Sequence, residues 1–426
     1  MGQEPDIPTG ASAEEPKRPS IIRVLPRAVM GRLRQTVPLA SLFVPTRVNT
    51  TIAGPGSPAL FSRPRPGSRF DPGAGGPGIS QSGDSNFLDG ALEIRTGWPF
   101  VFLDHFQPRP ERVERLWIVQ VRDCPQELGS NPWPKLKALQ FDAEGRTVER
   151  PVAELLAQVV GRPVLIQVQG SLTTADVAIG GLLWTHSWLE HHHSVPPDAV
   201  LIAFDWPSQR IYGEDLRDIN EKGRRAFVAA YHLAVFLSAF PSQSRICLIG
   251  QSFGGRVVPS ALHLLGGGSL HGRHHEPVAR LASTRADLHV KAVVIGAASD
   301  HDWFDPGERL DRALIGCEQF LNLYNRKDEA LILYPSLIRS DHHRAMGRVG
   351  LSNADLRKLG PLAARYEEHD LHDILGPEHT LLDAVANPKV ARWIAPYTGA
   401  GDPGVLPPQS ETPPGVARGI IGRMIR

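Results

Sequence analysis

The chain has 426 residues, with 46 Lys and Arg against 45 Asp and Glu and a formal net charge of +1. Such a balance excludes a global field that would recruit nucleic acid or an anionic membrane, so any partner has to be recognised by a site. The length suits one large domain with flanking segments or two medium ones, and no run reaches the roughly 18 apolar residues of a membrane-spanning helix.

The amino-terminal region, 1–90, reads as mostly disordered or extended. It contains PGSPALFSRPRPGSRFDPGAGGPG, rich in breakers and poor in periodic apolar surface. Its opening, MGQEPDIPTGASAEEPKRPS, is polar where a secretory leader needs a basic start and an apolar stretch, and position six lacks the Ser or Thr of a myristoylation pattern. Ile21 to Thr46 sets Arg23, Arg27, Arg32 and Arg34 among Ile, Leu, Val and Phe, which reads either as a short basic amphipathic segment or as a solvated arm. The far end, 398–426, is a Pro/Gly-rich tail with a small basic stub.

Between these ends, 91–397 reads as one α/β domain. Short, nearly continuous apolar runs follow one another: FVFL near Val101, LWIVQV near Ile118, VLIQV at Val164 to Val168, AVLIAF at Ala199 to Phe204, ICLI at Ile246 to Ile249, VKAVVI at Val290 to Ile295 and FLNLY at Phe320 to Tyr324. Strands apolar on both faces belong to sheets covered on both sides. Helical spacing separates the later runs, in Glu214 to Phe240 and more briefly in Val257 to Leu265, and a last strand is expected around Tyr366 to Ile374. The alternation predicts a mostly parallel central sheet with helices on both faces. Cys124, Cys247 and Cys317 are odd in number, widely spaced and without a C-x-x-C pair, a pattern of reduced, buried thiols in a cytoplasmic protein.

Within RICLIGQSFGGRVV, Gly250, Ser252 and Gly254 form G-x-S-x-G. The motif is short enough to recur by chance; its context is more specific, because a buried strand ends at Gly250 and a helix-like segment follows at once. A serine on a tight strand-to-helix turn needs glycines two residues to either side, since strand and helix backbone crowd it, and the helix amino terminus then favours negative charge developing there. A glycine-rich turn with an incidental serine is the alternative, and Pro259 inside the expected helix counts mildly against the elbow.

A serine hydroxyl needs a base and an acid from later loops. Asp328, directly after the FLNLY strand, is the favoured acid, with Asp300 in reserve and a turn-capping role as the alternative. His379, after the last expected strand and just before an apolar-periodic helix, is the favoured base, with His369 and His372 as runners-up; the other histidine clusters, including His191 to His193, read as surface residues. An oxyanion hole needs two backbone N–H groups. Phe253 would supply one and Ser171, after Gly170 in VLIQVQGSLTTAD, the other.

The segments FDWPSQRIYGEDLRD, ICLIGQSFGGRVV, VVIGAASD, LYNRKDEAL and EHTLLDAVANPKV, in this order, resemble the α/β-hydrolase superfamily, and more narrowly a mostly bacterial branch of unassigned function with an F-x-W-P-S segment before the serine elbow. The resemblance covers roughly Pro163 to Tyr397. It implies an α/β-hydrolase fold with Ser252 as nucleophile, Asp328 as acid and His379 as base. Two positions depart from the pattern: Gln169-Gly170 replaces His-Gly after the third strand, and Gln251 replaces the frequent histidine before the nucleophile. Phe204, Trp206 and Pro207 would shape one wall of the cleft, unless Trp206 is a core aromatic.

The resulting expectation is a serine esterase-like hydrolase acting on a small ester or related acyl substrate, with no cofactor, no metal and no nucleic-acid partner. A catalytically silent scaffold used as a binding module is the second reading. A metal-dependent hydrolase built on His369, Asp370, His372 and Asp373, with the two histidines on one helical face, is the third.

Overall fold

A computed structural model describes residues 114–400 except 143–145, 213–214, 271–278, 282–283, 333 and 336–343. The Ile21 to Thr46 segment, the FVFL run, the amino-terminal region and the tail beyond residue 400 lie outside the described residues.

Nine strands form one sheet: β1 (Leu116–Gln120), β2 (Lys137–Phe141), β3 (Thr147–Arg150), β4 (Pro163–Val168), β5 (Val200–Asp205), β6 (Arg245–Gln251), β7 (His289–Ile295), β8 (Gln319–Tyr324) and β9 (Tyr366–Asp370). Their order is β3-β2-β1-β5-β4-β6-β7-β8-β9. Every pair from β1 to β9 is parallel, with Leu116 beside Leu201 and Ile166 beside Leu248, while β2 and β3 add an antiparallel edge. Sequence patterning missed these two strands. KALQF and TVER are short and largely polar, as suits an edge hairpin open to water, and carry no continuous apolar run.

The central strands are apolar throughout because alternate residues enter two different cores. Val164, Ile166, Val200, Ile202, Ile246 and Leu248 face one layer, which includes α1 (Val152–Gln158), α3 (Asp215–Ser238) and α4 (Gly254–Leu265). Leu165, Leu201, Ala203, Cys247 and Ile249 face the other, built by α2 (Ala175–His191), α8 (Leu381–Ala386) and α9 (Pro388–Thr398). Each fully buried aliphatic side chain contributes about 1.5–3 kcal/mol relative to an exposed one, so either face alone would leave half of this energy unrealised. Three short helices, α5 (Met346–Val349), α6 (Asn353–Leu359) and α7 (His372–Leu375), lie in the connections around β9. The α/β class with a mostly parallel sheet and helices on both faces is the one expected.

Two local expectations are corrected. The last strand ends at Asp370 and not near Ile374, because the chain turns into α7 at His372. The helix after the serine begins at Gly254, three residues before Val257, with Pro259 inside it. Pro259 has no N–H for the carbonyl of Gly255, and the hydroxyl of Ser299 donates to that oxygen instead, at 3.0 Å. The proline is thus accommodated by a side chain from the loop after β7.

Candidate active site

Ser252 sits where β6 meets α4, with a left-handed backbone (φ 54°) and a relative exposure of 4%. A non-glycine residue in that region costs on the order of 1–3 kcal/mol and persists only where its surroundings enforce it. Here its N–H donates to Ile295 O (3.1 Å), and its carbonyl accepts from Gly255 and Ala298 (both 2.9 Å). The flanking glycines answer to steric necessity. A Cβ on Gly250 would meet Gly254 O at 2.5 Å, one on Gly254 would lie inside the carbonyl of Val168, and one on Gly255 would lie 2.7 Å from Ala297. The crowding comes from the helix, from β4 and from the loop after β7, so the glycine spacing is what lets a serine stand on this turn.

Asp328 follows β8 and is 1% exposed. Its Oδ1 accepts the N–H of Leu331 at 2.9 Å, which leaves Oδ2 to Nδ1 of His379 at 2.6 Å. A carboxylate can only accept, so Nδ1 carries the proton and Nε2 is the basic nitrogen of this imidazole. The His379 ring lies against Gly296, whose Cβ would come within 3.0 Å of its Cε1; Gly296 has φ +55° and is the residue after the Ile295 that holds the Ser252 N–H. Ser252, Asp328 and His379 therefore come from three parts of the chain to the carboxyl ends of β6, β7 and β8. A cavity of about 10 Å³, the size of one water molecule, adjoins the pair and is lined by Gln251, Gly296, Asn325, Asp328, His379 and Thr380 among others.

Two residues that hold the pair were not singled out in the sequence. Asn325, 2% exposed, donates from Nδ2 to the carbonyls of Gly376 (3.0 Å) and Glu378 (3.1 Å), clamping the loop that presents His379. Gly296 gives the ring its seat. The signal for both was positional, since each directly follows an apolar strand run, where loop residues of a parallel sheet converge.

The loop after β4 also reaches the serine. A Cβ on Gly170 would lie 3.0 Å from Ser252 Cβ and 2.7 Å from Gln251 Oε1. The neighbouring Ser171 N–H and the Phe253 N–H, at the amino-terminal cap of α4, are not donated to any acceptor among the described residues. An amide at a helix amino terminus, as that of Phe253 is, favours negative charge.

Other candidates fall elsewhere. Asp300 is 6% exposed and shares a hydrogen bond with the hydroxyl of buried Tyr334. His369 is on β9, bonds Glu367 at 2.8 Å and stacks on Trp393 with ring centres 4.0 Å apart. His372 opens α7, so the two histidines do not share the helical face that the metal reading required. Among the described residues no group of three or more His, Cys, Asp and Glu side chains is placed to hold a metal ion. Phe204 and Trp206 are fully buried, with Trp206 Nε1 donating to Gln169 O at 2.9 Å, so the core reading of Trp206 replaces the cleft wall. His192 is not a surface residue: it is 4% exposed and its Nε2 is 3.0 Å from Ala386 O.

A parallel sheet flanked by helices, with a serine on a strained turn between a central strand and its helix, is the α/β-hydrolase fold. No family model matches the chain, and no curated protein matches it. Among solved structures it is similar to esterase B from Lactobacillus rhamnosis (12% identity, TM-score 0.31, 67% of this chain and 87% of that one). Zea mays acyl-protein thioesterase 2 (14%, 0.30, 56% and 94%) and the catalytic core of acetyl xylan esterase from Trichoderma reesei (9%, 0.29, 56% and 97%) are further neighbours. At these TM-scores the likenesses add nothing to the geometry above.

Proposed function

We propose that the chain is a serine hydrolase cleaving carboxylic esters or a closely related acyl bond in a small substrate. The observation that carries this reading is the Asp328–His379 hydrogen bond, set against Gly296 beside the left-handed Ser252. In this mechanism Nε2 of His379 takes the hydroxyl proton as Ser252 attacks the acyl carbon. The leaving alcohol then receives that proton, and water, activated by the same nitrogen, releases the acid. Asp328 keeps Nδ1 protonated and stabilises the imidazolium. The Phe253 and Ser171 amides take the oxyanion, as supported by their lack of another acceptor among the described residues. The chemistry requires no metal or organic cofactor. Cytoplasmic residence is part of the proposal: Cys124, Cys247 and Cys317 are free and buried, as suits a reducing compartment, and no helix among the described residues is long and apolar enough to cross a membrane.

The test is labelling with an active-site-directed fluorophosphonate, beside turnover of p-nitrophenyl esters of graded chain length. Wild-type protein should be labelled at Ser252 and Ser252→Ala should be neither labelled nor active. Turnover that survives the substitution would overturn the mechanism, and absence of both labelling and turnover in the wild type would favour a silent scaffold.

A further inference from the structure

The segment FDWPS and a distant arginine converge on the loop that carries the Ser171 amide. Asp205, at the end of β5, is fully buried and its carboxylate accepts four hydrogen bonds: Gln120 Nε2 (3.0 Å) and Arg122 Nε (2.7 Å) reach Oδ2, while Arg122 Nη2 (2.6 Å) and Gln169 Nε2 (3.1 Å) reach Oδ1. The fork of Arg122 is therefore bidentate, the geometry that fixes both groups in one plane. The same Arg122 Nη2 donates to Thr173 O at 3.1 Å, and Nη1 is bonded to Gln209.

This cluster grips the loop at both ends. At its start, Gln169 is held by Asp205, by the carbonyl of Trp206 (3.3 Å) and by the indole N–H of Trp206 on its own carbonyl (2.9 Å). At its end, Leu172, left-handed at φ 61°, donates its N–H to Ser208 O (2.6 Å), and both Ser208 Oγ (3.0 Å) and Arg122 take the carbonyl of Thr173. Between these two anchors stand only Gly170, already against Ser252, and Ser171. A buried ion pair of this kind is weak as a source of stability, because desolvation cancels much of the attraction. It is strong as a device for fixing geometry.

We propose that Asp205 and Arg122 are positioning residues that set the Ser171 N–H for the oxyanion, acting through Gln169 and Thr173. The proposal rests on the hydrolase reading above. It also accounts for Gln169, which stands where the resembling family has histidine, because the side-chain amide of Gln169 couples the loop to the Asp205 carboxylate. A donor displaced by about 1 Å loses on the order of 10²-fold in rate without losing the binding pocket, so the defect belongs in kcat.

The experiment compares wild type, Arg122→Ala, Asp205→Asn and Ser208→Ala as full-length proteins, with p-nitrophenyl acetate as probe. Arg122→Ala and Asp205→Asn should lose about 10- to 100-fold in kcat with KM within about threefold, and added guanidinium ion should restore a substantial part of the Arg122→Ala rate. Ser208→Ala removes a single hydroxyl, keeps the ion pair and should fall severalfold, so it reports even where the ion-pair variants do not fold. If wild type turns over and Ser208→Ala and the folded ion-pair variants match it within twofold, the positioning role is wrong and the hydrolase reading stands. Loss of rate that follows melting temperature and is not rescued by guanidinium reduces the cluster to fold support and likewise overturns the role. A wild type that neither labels nor turns over removes both proposals together.

Discussion

Nδ1 of His379 lies 2.6 Å from Oδ2 of Asp328, and the second oxygen of that carboxylate is already committed to the N–H of Leu331. The division fixes the imidazole tautomer, because only an acceptor faces Nδ1. In Asp328→Asn the amide oxygen is drawn to Leu331 and the NH2 group then faces the ring, so Nδ1 must become the acceptor and Nε2 the protonated nitrogen. Ester turnover should fall by about 10⁴-fold while the fold is retained. Steady-state kinetics with circular dichroism as control checks this; a loss under tenfold would mean that Asp328 does not orient the base.

Glycines at two nearby positions should fail in different ways. An added methyl at Gly254 collides with the backbone carbonyl of Val168 on β4, and neither backbone can move without displacing the elbow from the sheet. Gly254→Ala should therefore destabilise the protein by about 1–3 kcal/mol. At Gly170 the first obstacle is Oε1 of Gln251, the far end of a flexible side chain, with Ser252 Cβ next. Gly170→Ala should leave the melting temperature nearly unchanged and cost activity. Melting curves and kcat on the two variants separate them, and the pattern reversed would show that the crowding has been assigned to the wrong positions.

The sheet was legible because parallel strands buried on both faces write continuous apolar runs, and the proposed site residues were sought in the loops at the carboxyl ends of those strands, where a sheet of this kind carries chemistry. Ser252 and Asp328 each follow such a run, whereas His379 lies beyond β9, the largely polar and half-buried YEEHD, with α7 between them. The edge pair β2 and β3 was not legible: half-solvated strands of four and five residues leave no run to see. Trp206 was open between a cleft wall and a core aromatic, since an aromatic after a strand suits either, and the bond from its buried indole to Gln169 O shows that it serves the neighbouring loop from inside the core. Asn325 bonds two backbone carbonyls of the histidine loop, while Arg122 bonds the Asp205 carboxylate and the Thr173 carbonyl; partners that only the fold brings together leave no spacing in the sequence.

Burial raises the thiol of Cys124 to about 11 and those of Cys247 and Cys317 to about 12. The thiolate is the reactive form, so all three should resist alkylation in the native protein. Iodoacetamide at pH 8 should modify none of them over a period in which urea-unfolded protein takes three equivalents, read by intact mass. Rapid native labelling of Cys247 would show that the face of β6 beneath α9 opens to solvent.

Glu221 on α3 is paired with Arg224 (2.7 Å) and Arg225 (3.0 Å), and the Arg224 bond in particular lowers its carboxyl from the ordinary 4.5 to about 2. Because the folded-state value is depressed, the stabilisation is fully present above pH 4.5 and is lost as pH falls towards 2. Its size is on the order of 2 kcal/mol after allowance for solvent screening at this part-exposed site. Glu221→Gln should flatten the acid limb of the stability curve in that window and lower stability at neutral pH. Urea unfolding between pH 2.5 and 7 measures it; parallel acid limbs for the two proteins would remove Glu221 from the account.

Asn325 ties the histidine loop to the end of β8 through two carbonyls, those of Gly376 and Glu378, while its own carbonyl oxygen accepts from Lys327 N at 3.0 Å. Asn325→Ala leaves both carbonyls without this donor in a buried setting, at a cost of about 1–3 kcal/mol. It also loosens the segment that places His379 on Asp328. Turnover should drop by about tenfold or more, since near-attack geometry is sensitive to small displacements. Asn325→Asp is the sharper probe, because it keeps the volume and sets a carboxylate against the same two carbonyl oxygens. Its activity should lie below that of the alanine variant at neutral pH, and its deficit relative to wild type at the same pH should narrow as pH is lowered and the new carboxyl is protonated, which lets it donate one bond again. An aspartate variant as active as the wild type at pH 7 would show that the histidine loop is held by other contacts.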